Sequence, residues 1–137
     1  MYQLFSTSQS YKLPVSVKGI IYHKGKYLLR KNEREEWELL GGKLEPHEEP
    51  FFCVIRELKE EAGITVHVNN LLDAWLYKLN NKIEVLILTY ICTVDSISFP
   101  LQSIEEAELA WFTLSEIETL NMPEGYKRSI RTYEKHY

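Results

Sequence analysis

The sequence predicts an α/β protein built on a mixed β-sheet, and three observations support that fold class. Runs of β-branched and aromatic residues recur between residues 15 and 114 and are separated by turn-forming residues. One long amphipathic helical pattern interrupts them mid-chain, and shorter helical patterns follow the last run. Tight turns join several of the predicted strands and pair them antiparallel, so a purely parallel sheet is not expected.

The first predicted elements are a hairpin and a third short strand. Residues 15–22 form one strand, HKGK is the turn, and residues 27–30 form the return strand. A polar loop, NEREE, leads to the strand WELL, which ends in Gly41-Gly42. Glycine there permits close approach of the backbone to a ligand, although a plain strand-ending turn is the alternative.

A long helix is predicted over residues 50–62. Pro50 suits its first position and Gly63 suits its C-terminal stop. Its apolar residues recur at helical spacing and form one stripe that we expect to pack on the sheet: Phe51, Ile55, Leu58 and Ala62.

The second half of the chain is predicted to be mostly β-structure. We expect a strand at residues 64–68 and a long hairpin of residues 71–79 and 82–94, with an Asn-Asn turn. Residues 107–114 form the final strand.

Two helices are predicted to end the sequence. Ser115 and Glu118 have the spacing of a capping box, which favours a short helix. Pro123 then opens a last helix, whose apolar face is Tyr126, Ile130 and Tyr133. We expect a single domain over residues 1–137, since this length suffices for one hydrophobic core.

Composition argues against several classes of function. The 16 basic and 20 acidic side chains give a net charge of −4, which does not favour binding to nucleic acid polymers or anionic membranes. No stretch reaches the ~18 apolar residues that span a bilayer, and no signal peptide is visible. Cys53 and Cys92 form no disulfide framework, so we expect reduced core thiols in a cytoplasmic protein.

Three acids gather at an unfavourable end of the predicted helix. Glu57, Glu60 and Glu61 lie near its C-terminus, where the helix dipole disfavours negative charge. Like charges at these spacings repel by about 0.2–0.5 kcal/mol per pair. A solvated acidic face is one interpretation. A divalent cation such as Mg²⁺ would reverse both penalties, so a metal site on a face separate from the apolar stripe is the other.

The glycine pair and the acids belong to one longer pattern. Residues 42–64 match G-x5-E-x7-R-E-U-x-E-E-x-G-U, where U is a bulky apolar residue, at every fixed position. This pattern is the Nudix box, and the chain resembles the MutT-like Nudix hydrolases in this segment, in length and in the order of its elements. The resemblance implies an α/β/α sandwich around a mixed sheet. It also implies hydrolysis of a pyrophosphate bond in a nucleoside diphosphate linked to another moiety.

The resemblance assigns roles to individual residues. The ligands of Mg²⁺, or alternatively of Mn²⁺, would be three catalytic carboxylates and one backbone carbonyl: Glu57, Glu60, Glu61 and Gly41. The structural brace of the box would be Gly42, Glu48 and Arg56. His47 stands where the family often has glycine, and histidine is among the residues that tolerate positive φ.

Residues outside the box complete the predicted site. A fourth catalytic carboxylate is expected just before Trp111, with Glu105 preferred over Glu106 and Glu108, and an acidic surface loop is the alternative. Trp37, beside the glycine pair, is a candidate for stacking on a nucleobase, with packing in the core as the alternative.

The resemblance favours a nucleoside triphosphate or a related small nucleotide as substrate. The main alternative is a non-catalytic Nudix-fold module that binds a nucleotide or a protein, but such modules usually lose box carboxylates and this chain keeps them. An isopentenyl diphosphate isomerase would need a catalytic cysteine among histidines, and neither cysteine has such neighbours. Formation of a homodimer is left open.

Overall fold

The computed structural model describes residues 10–95 and 108–137. Its elements in chain order are β1 (Val15–His23), β2 (Lys26–Lys31), β3 (Trp37–Lys43), α1 (Pro50–Ala62), β4 (His67–Lys78), β5 (Glu84–Thr93), β6 (Glu108–Phe112), α2 (Leu114–Ile117) and α3 (Glu124–His136). The strands of these two ranges form one sheet in the order β4-β5-β1-β3-β2-β6. The predicted mixed sheet is confirmed, because β1 pairs with β5 in parallel and with β3 antiparallel.

Helices cover both faces of the sheet and create two hydrophobic cores. Successive side chains of a strand point to opposite faces. Ile21 of β1 packs in the core that contains Val54 and Leu58 of α1, whereas Ile20 packs in the core that contains Ile130 of α3. This layered arrangement confirms the predicted α/β/α sandwich.

The first hairpin is paired only next to its turn. Tyr22 pairs with Tyr27 and His23 with Lys26, because β3 lies between the remaining lengths of β1 and β2. The third strand is also longer than predicted, since β3 continues through both glycines to Lys43.

The two strands predicted at residues 64–68 and 71–79 are one strand in the structure. β4 runs without a break from His67 to Lys78 along β5. Register shifts between Val68 and Asn70 and between Leu71 and Asp73 absorb extra residues within it. The apparent boundary in the sequence therefore marks an irregularity and not a loop.

The short helix α2 begins earlier than predicted. Thr113, and not Ser115, is its N-cap: the Thr113 hydroxyl accepts from the Glu116 amide at 3.2 Å, and the Glu116 carboxylate accepts from the Thr113 amide at 2.8 Å. Glu118 is instead the C-cap and forms an ion pair with Arg131. Thr113 and Glu116 have the same spacing as Ser115 and Glu118. Thr113 is the N-cap because strand β6 ends directly before it.

The buried face of α1 is rotated from the predicted stripe. Its buried residues are Cys53, Val54, Leu58, Glu61 and Ala62. The prediction was right for Leu58 and Ala62 and wrong for Phe51, which is 42% exposed. Gly19 of β1 explains the rotation, because an added Cβ there would lie 3.1 Å from Val54 and Leu58. Glu61 therefore lies on the packed face, and the predicted separate face for all three acids was wrong.

Other predictions for the helices and cysteines are confirmed. α1 spans the predicted residues, α3 buries Tyr126 and Ile130, and Cys53 and Cys92 are free and buried. Across the two described ranges, no helix has the length and hydropathy that crossing a membrane demands.

Candidate active site

The ends of α1 are set by backbone geometry. His47 has a φ of 66°, in the left-handed region that histidine tolerates, and Pro50 occupies the start of the helix. Gly63 ends the helix with a φ of 69°, and its amide donates to the Lys59 carbonyl at 2.9 Å. This frame holds the acidic C-terminal half of α1 against β3.

Two glycines of β3 bring the backbone close to two carboxylates of α1. The Gly41 amide donates to Glu61 Oε1 at 2.8 Å. A Cβ added at Gly42 would lie 2.4 Å from the Glu57 carboxylate, so a side chain there would displace it. Gly41 has a φ of 146°, and a Cβ there would lie 2.0 Å from the Val17 carbonyl oxygen. The two glycines therefore allow the carboxylates of α1 and the backbone of β1 to approach the backbone of β3 closely.

Glu61 is a buried carboxylate with an unsatisfied oxygen. Its side chain is 1% exposed, and Oε2 accepts no hydrogen bond from any of the described residues. Arg30 Nε lies 3.2 Å from Oε2, within ion-pair distance, yet no hydrogen bond joins them. Burial raises the pKa of Glu61 to about 7, although Lys18 and Arg30 act in the opposite direction. The site therefore retains capacity for a further positive partner.

Arg56 links the loop before α1 to the acidic cluster. Its Nε and Nη2 atoms lie 2.8 and 3.0 Å from the two carboxylate oxygens of Glu48. Its Nη1 lies 2.9 Å from Glu57 Oε1 and 3.3 Å from Glu60 Oε2. The hydrogen bonds from Arg56 lower the pKa of Glu48 to about 2. These contacts are compatible with the brace that the resemblance assigns, and that role stays a prediction.

The acidic cluster has the donor chemistry of a divalent cation site. In the part of the chain that the structure describes, no three acidic, histidine or cysteine side chains are placed to hold one ion together. The Arg56 guanidinium contacts both Glu57 and Glu60. The donors are all oxygens, Glu61 Oε2 lacks a hydrogen bond within the described ranges, and the Glu60 side chain is 48% exposed. These features fit a hard cation such as Mg²⁺.

A cleft of about 230 Å³ opens beside the glycine pair. Gly41 and Gly42 form part of its wall, and four cations contribute to the lining: Lys18, Arg30, Arg34 and Lys43. Two acids, Glu33 and Glu38, also line the cleft. The excess of positive charge suits the phosphate chain of a nucleotide.

Three charged residues of the cleft were not identified from the sequence: Lys18, Arg30 and Glu38. Lys18 is 4% exposed, and its Nζ lies 3.8 Å from Glu38 Oε1. Arg30 Nη1 lies 3.7 Å from the same oxygen, and Arg30 Nε faces Glu61. A signal existed, because each of the three interrupts an apolar strand, where a buried charge requires a partner.

Of the candidate side chains predicted outside the box, Trp37 and Glu108 lie in the described part of the chain, and neither lines the cleft. Trp37 is 9% exposed, packs edge-on against Phe112 at 4.8 Å and does not line the cleft. The prediction that it stacks on a base is therefore corrected to a role in the core. Glu105 and Glu106 lie outside the described residues. Glu108 begins β6 and is exposed.

Comparison with known proteins gives a consistent result. The model of the NUDIX domain family matches residues 12–133. A MutT-like protein from Streptomyces ambofaciens is 35% identical over 105 residues, which cover 75% of this chain and 66% of that protein. The chain thus spans just under two thirds of that relative's length.

Two further relatives agree with this match. The CTP pyrophosphohydrolase of Escherichia coli (strain K12) is 30% identical over 105 residues, covering 73% of this chain and 76% of that protein. A solved structure of a NUDIX hydrolase from Nitrosomonas europaea has a TM-score of 0.77 and 23% identity, covering 90% of each chain. At that identity, the structural match shows a shared fold.

Proposed function

The chain belongs to the NUDIX hydrolase family, and from that premise we propose that it hydrolyses the pyrophosphate bond of a nucleoside diphosphate derivative. One observation carries the proposal. Two carboxylates of α1 meet the glycine pair beside a cleft rich in cations, with Glu57 against Gly42 and Glu61 against Gly41. Carboxylate oxygens with the chemistry of metal ligands therefore lie next to a cleft whose positive charge supports the binding of phosphates.

NUDIX hydrolases generally use a divalent metal, and we propose Mg²⁺ here, with Mn²⁺ as the alternative. The ligands would be Glu57, Glu60, Glu61 and the Gly41 carbonyl. When bound, the cation would neutralise charge on the phosphates and lower the pKa of a coordinated water.

The side chains around the cation would attract the phosphates, orient the carboxylates and accept a proton. Lys18 and Arg30 line the cleft, are largely buried and attract the phosphates. Arg56 contacts Glu57 and Glu60 and keeps them oriented. A glutamate accepts the proton of the attacking water as its oxygen bonds to phosphorus, and the bridging oxygen leaves with the other phosphate. Glu105 is the proposed base outside the box.

A nucleoside triphosphate is the proposed substrate, and CTP is the first to test. The Escherichia coli relative is named a CTP pyrophosphohydrolase. The net charge of −4 favours a small nucleotide over a nucleic acid polymer as partner. The two free buried thiols fit a reducing compartment such as the cytoplasm.

A screen of nucleoside triphosphates in Mg²⁺ buffer, counting the phosphate and pyrophosphate released, tests the proposal. We expect turnover of at least one nucleotide, loss of turnover in EDTA, and loss in Glu60→Gln. Glu124→Gln is the matched control, because Glu124 is an exposed glutamate on α3 and should leave turnover unchanged. Full activity of Glu60→Gln would contradict the metal site, and binding of nucleotides without any turnover would favour the non-catalytic module.

A further inference from the structure

The cleft contains a second group of side chains that the proposed chemistry does not use. Tyr77 of β4 and Arg34 of the loop between β2 and β3 both line it. Glu36 joins them, because its Oε1 accepts from the Tyr77 hydroxyl at 3.0 Å and from Arg34 Nε at 3.2 Å. One carboxylate oxygen therefore connects two elements that are far apart in the sequence.

The loop that carries Arg34 is held by its own hydrogen bonds. Asn32 Oδ1 accepts from the Arg34 amide at 2.9 Å and from the Glu36 amide at 3.1 Å. The Asn121 side chain donates to the Glu35 carbonyl at 2.9 Å. Hydrogen bonds within the protein therefore fix the backbone of the loop, which lowers the entropy cost of binding.

The wall of the cleft that comes from β3 differs in polarity from the wall at the end of the β4–β5 hairpin. The glycine pair and Lys43 of β3 face phosphates in the proposed function, whereas Leu79 and Val85 at the end of the β4–β5 hairpin are apolar. A volume of about 230 Å³ is below the range of roughly 300–1,000 Å³ of pockets that enclose a whole small ligand. The cleft therefore suits one part of a nucleotide, with the remainder extending along β3.

We propose that Tyr77 and Arg34 form a slot for the nucleobase of the substrate and that Glu36 is a positioning residue for both. Aromatic rings and guanidinium groups stack on the faces of bases without requiring one particular base. The proposal deepens the proposed function and rests on it: the phosphates bind at the glycine pair, and the base binds beside Tyr77.

Direct binding separates the nucleobase slot from the phosphate site. Calorimetry compares CMP, which carries a base, with ribose 5-phosphate, which lacks one. In Tyr77→Leu we expect CMP to bind about 5- to 150-fold more weakly, the range for loss of one stacked base, with ribose 5-phosphate unchanged. Tyr77→Phe keeps the ring and should lose only a few-fold.

Control variants exclude a general effect on the fold. Tyr11→Leu is matched, because Tyr11 also donates to a glutamate but lies outside the cleft, and both ligands should bind it as in the wild type. Arg34→Ala alters a side chain that is 44% exposed and should leave the fold intact; because Arg34 also adds to the positive charge of the cleft, we expect it to weaken CMP binding by a larger factor than ribose 5-phosphate binding. Glu36→Ala should weaken CMP binding, and Glu36→Gln, which keeps an acceptor oxygen, should restore most of it.

The two proposals fail in different ways. Equal weakening of both ligands in Tyr77→Leu, unchanged CMP binding, or wild-type CMP binding no tighter than that of ribose 5-phosphate would overturn the slot. CMP-specific weakening without turnover of any nucleotide would support the slot and refute hydrolysis. Turnover without CMP-specific weakening would support hydrolysis and refute the slot.

Discussion

Replacement of Glu61 by glutamine is expected to stabilise the metal-free protein while abolishing its activity. The Glu61 side chain is 1% exposed, and burial raises its pKa from the ordinary 4.5 to about 7. At about 1.4 kcal/mol for each tenfold change in proton affinity, the ionised side chain destabilises the fold by about 3 kcal/mol above pH 7. Glutamine keeps the acceptor for the Gly41 amide and removes the charge. We therefore expect Glu61→Gln to raise the free energy of unfolding at pH 8 by about 2–3 kcal/mol.

The sign of the pH dependence follows from the raised pKa. Between pH 4.5 and 7 the folded protein retains a proton on Glu61 that the unfolded chain has released. The free energy of unfolding of the wild type therefore falls as pH rises through this window. In Glu61→Gln this contribution should be absent.

Urea denaturation in EDTA, followed by tryptophan fluorescence at pH 5 and pH 8, measures both effects. Glu60→Gln is the matched control, because the Glu60 side chain is 48% exposed and its replacement should change stability little at either pH. A Glu61→Gln variant that is no more stable than the wild type at pH 8, or that retains the wild-type pH dependence, would contradict a destabilising charge at Glu61.

Three further predictions concern the frame of the site. Gly42→Ala should displace the Glu57 carboxylate, which would lie 2.4 Å from the new Cβ, and reduce Mg²⁺-dependent turnover by tenfold or more; wild-type turnover would contradict this. Glu48→Gln should reduce the loss of stability at low pH. Arg56 lowers the pKa of Glu48 to about 2, so the ionised Glu48 stabilises the fold above pH 4.5, and this stabilisation is lost as pH falls through 2. Circular dichroism along an acid titration checks this, and an unchanged curve would count against it. Gly63→Ala should lower the free energy of unfolding in urea by about 1–2 kcal/mol, because Gly63 has a φ of 69°, which strains a residue that carries a Cβ. An unchanged free energy of unfolding would contradict this strain.

Much of the fold could be predicted because its signals are local. α1 begins at Pro50 and stops at Gly63 as expected, since both residues act through their own backbone angles. His47 adopts the positive φ that the turn requires. The predicted division of β4 failed because its register shifts depend on pairing with β5, which lies downstream in the sequence.

The candidate site could be predicted only in part. The spacing of the box identified the acids, the glycine pair, Glu48 and Arg56, and their roles stay predictions. Trp37 was misplaced because its burial depends on packing against Phe112, which lies 75 residues later in the numbering. Lys18, Arg30 and Glu38 were missed because their charges converge only when three strands pair side by side.

The sequence by itself determined the family, the start and end of α1, and the spacing of the acids that we propose as metal ligands, because these depend on residue type and short spacing. The tertiary structure alone decided which acid is buried. Gly19 lets α1 approach β1 closely, the helix turns Glu61 toward the sheet, and Gly41 and Arg30 meet it there. Burial and the charges of distant strands set the pKa of a carboxylate, so the raised pKa of Glu61 arises only in the folded chain.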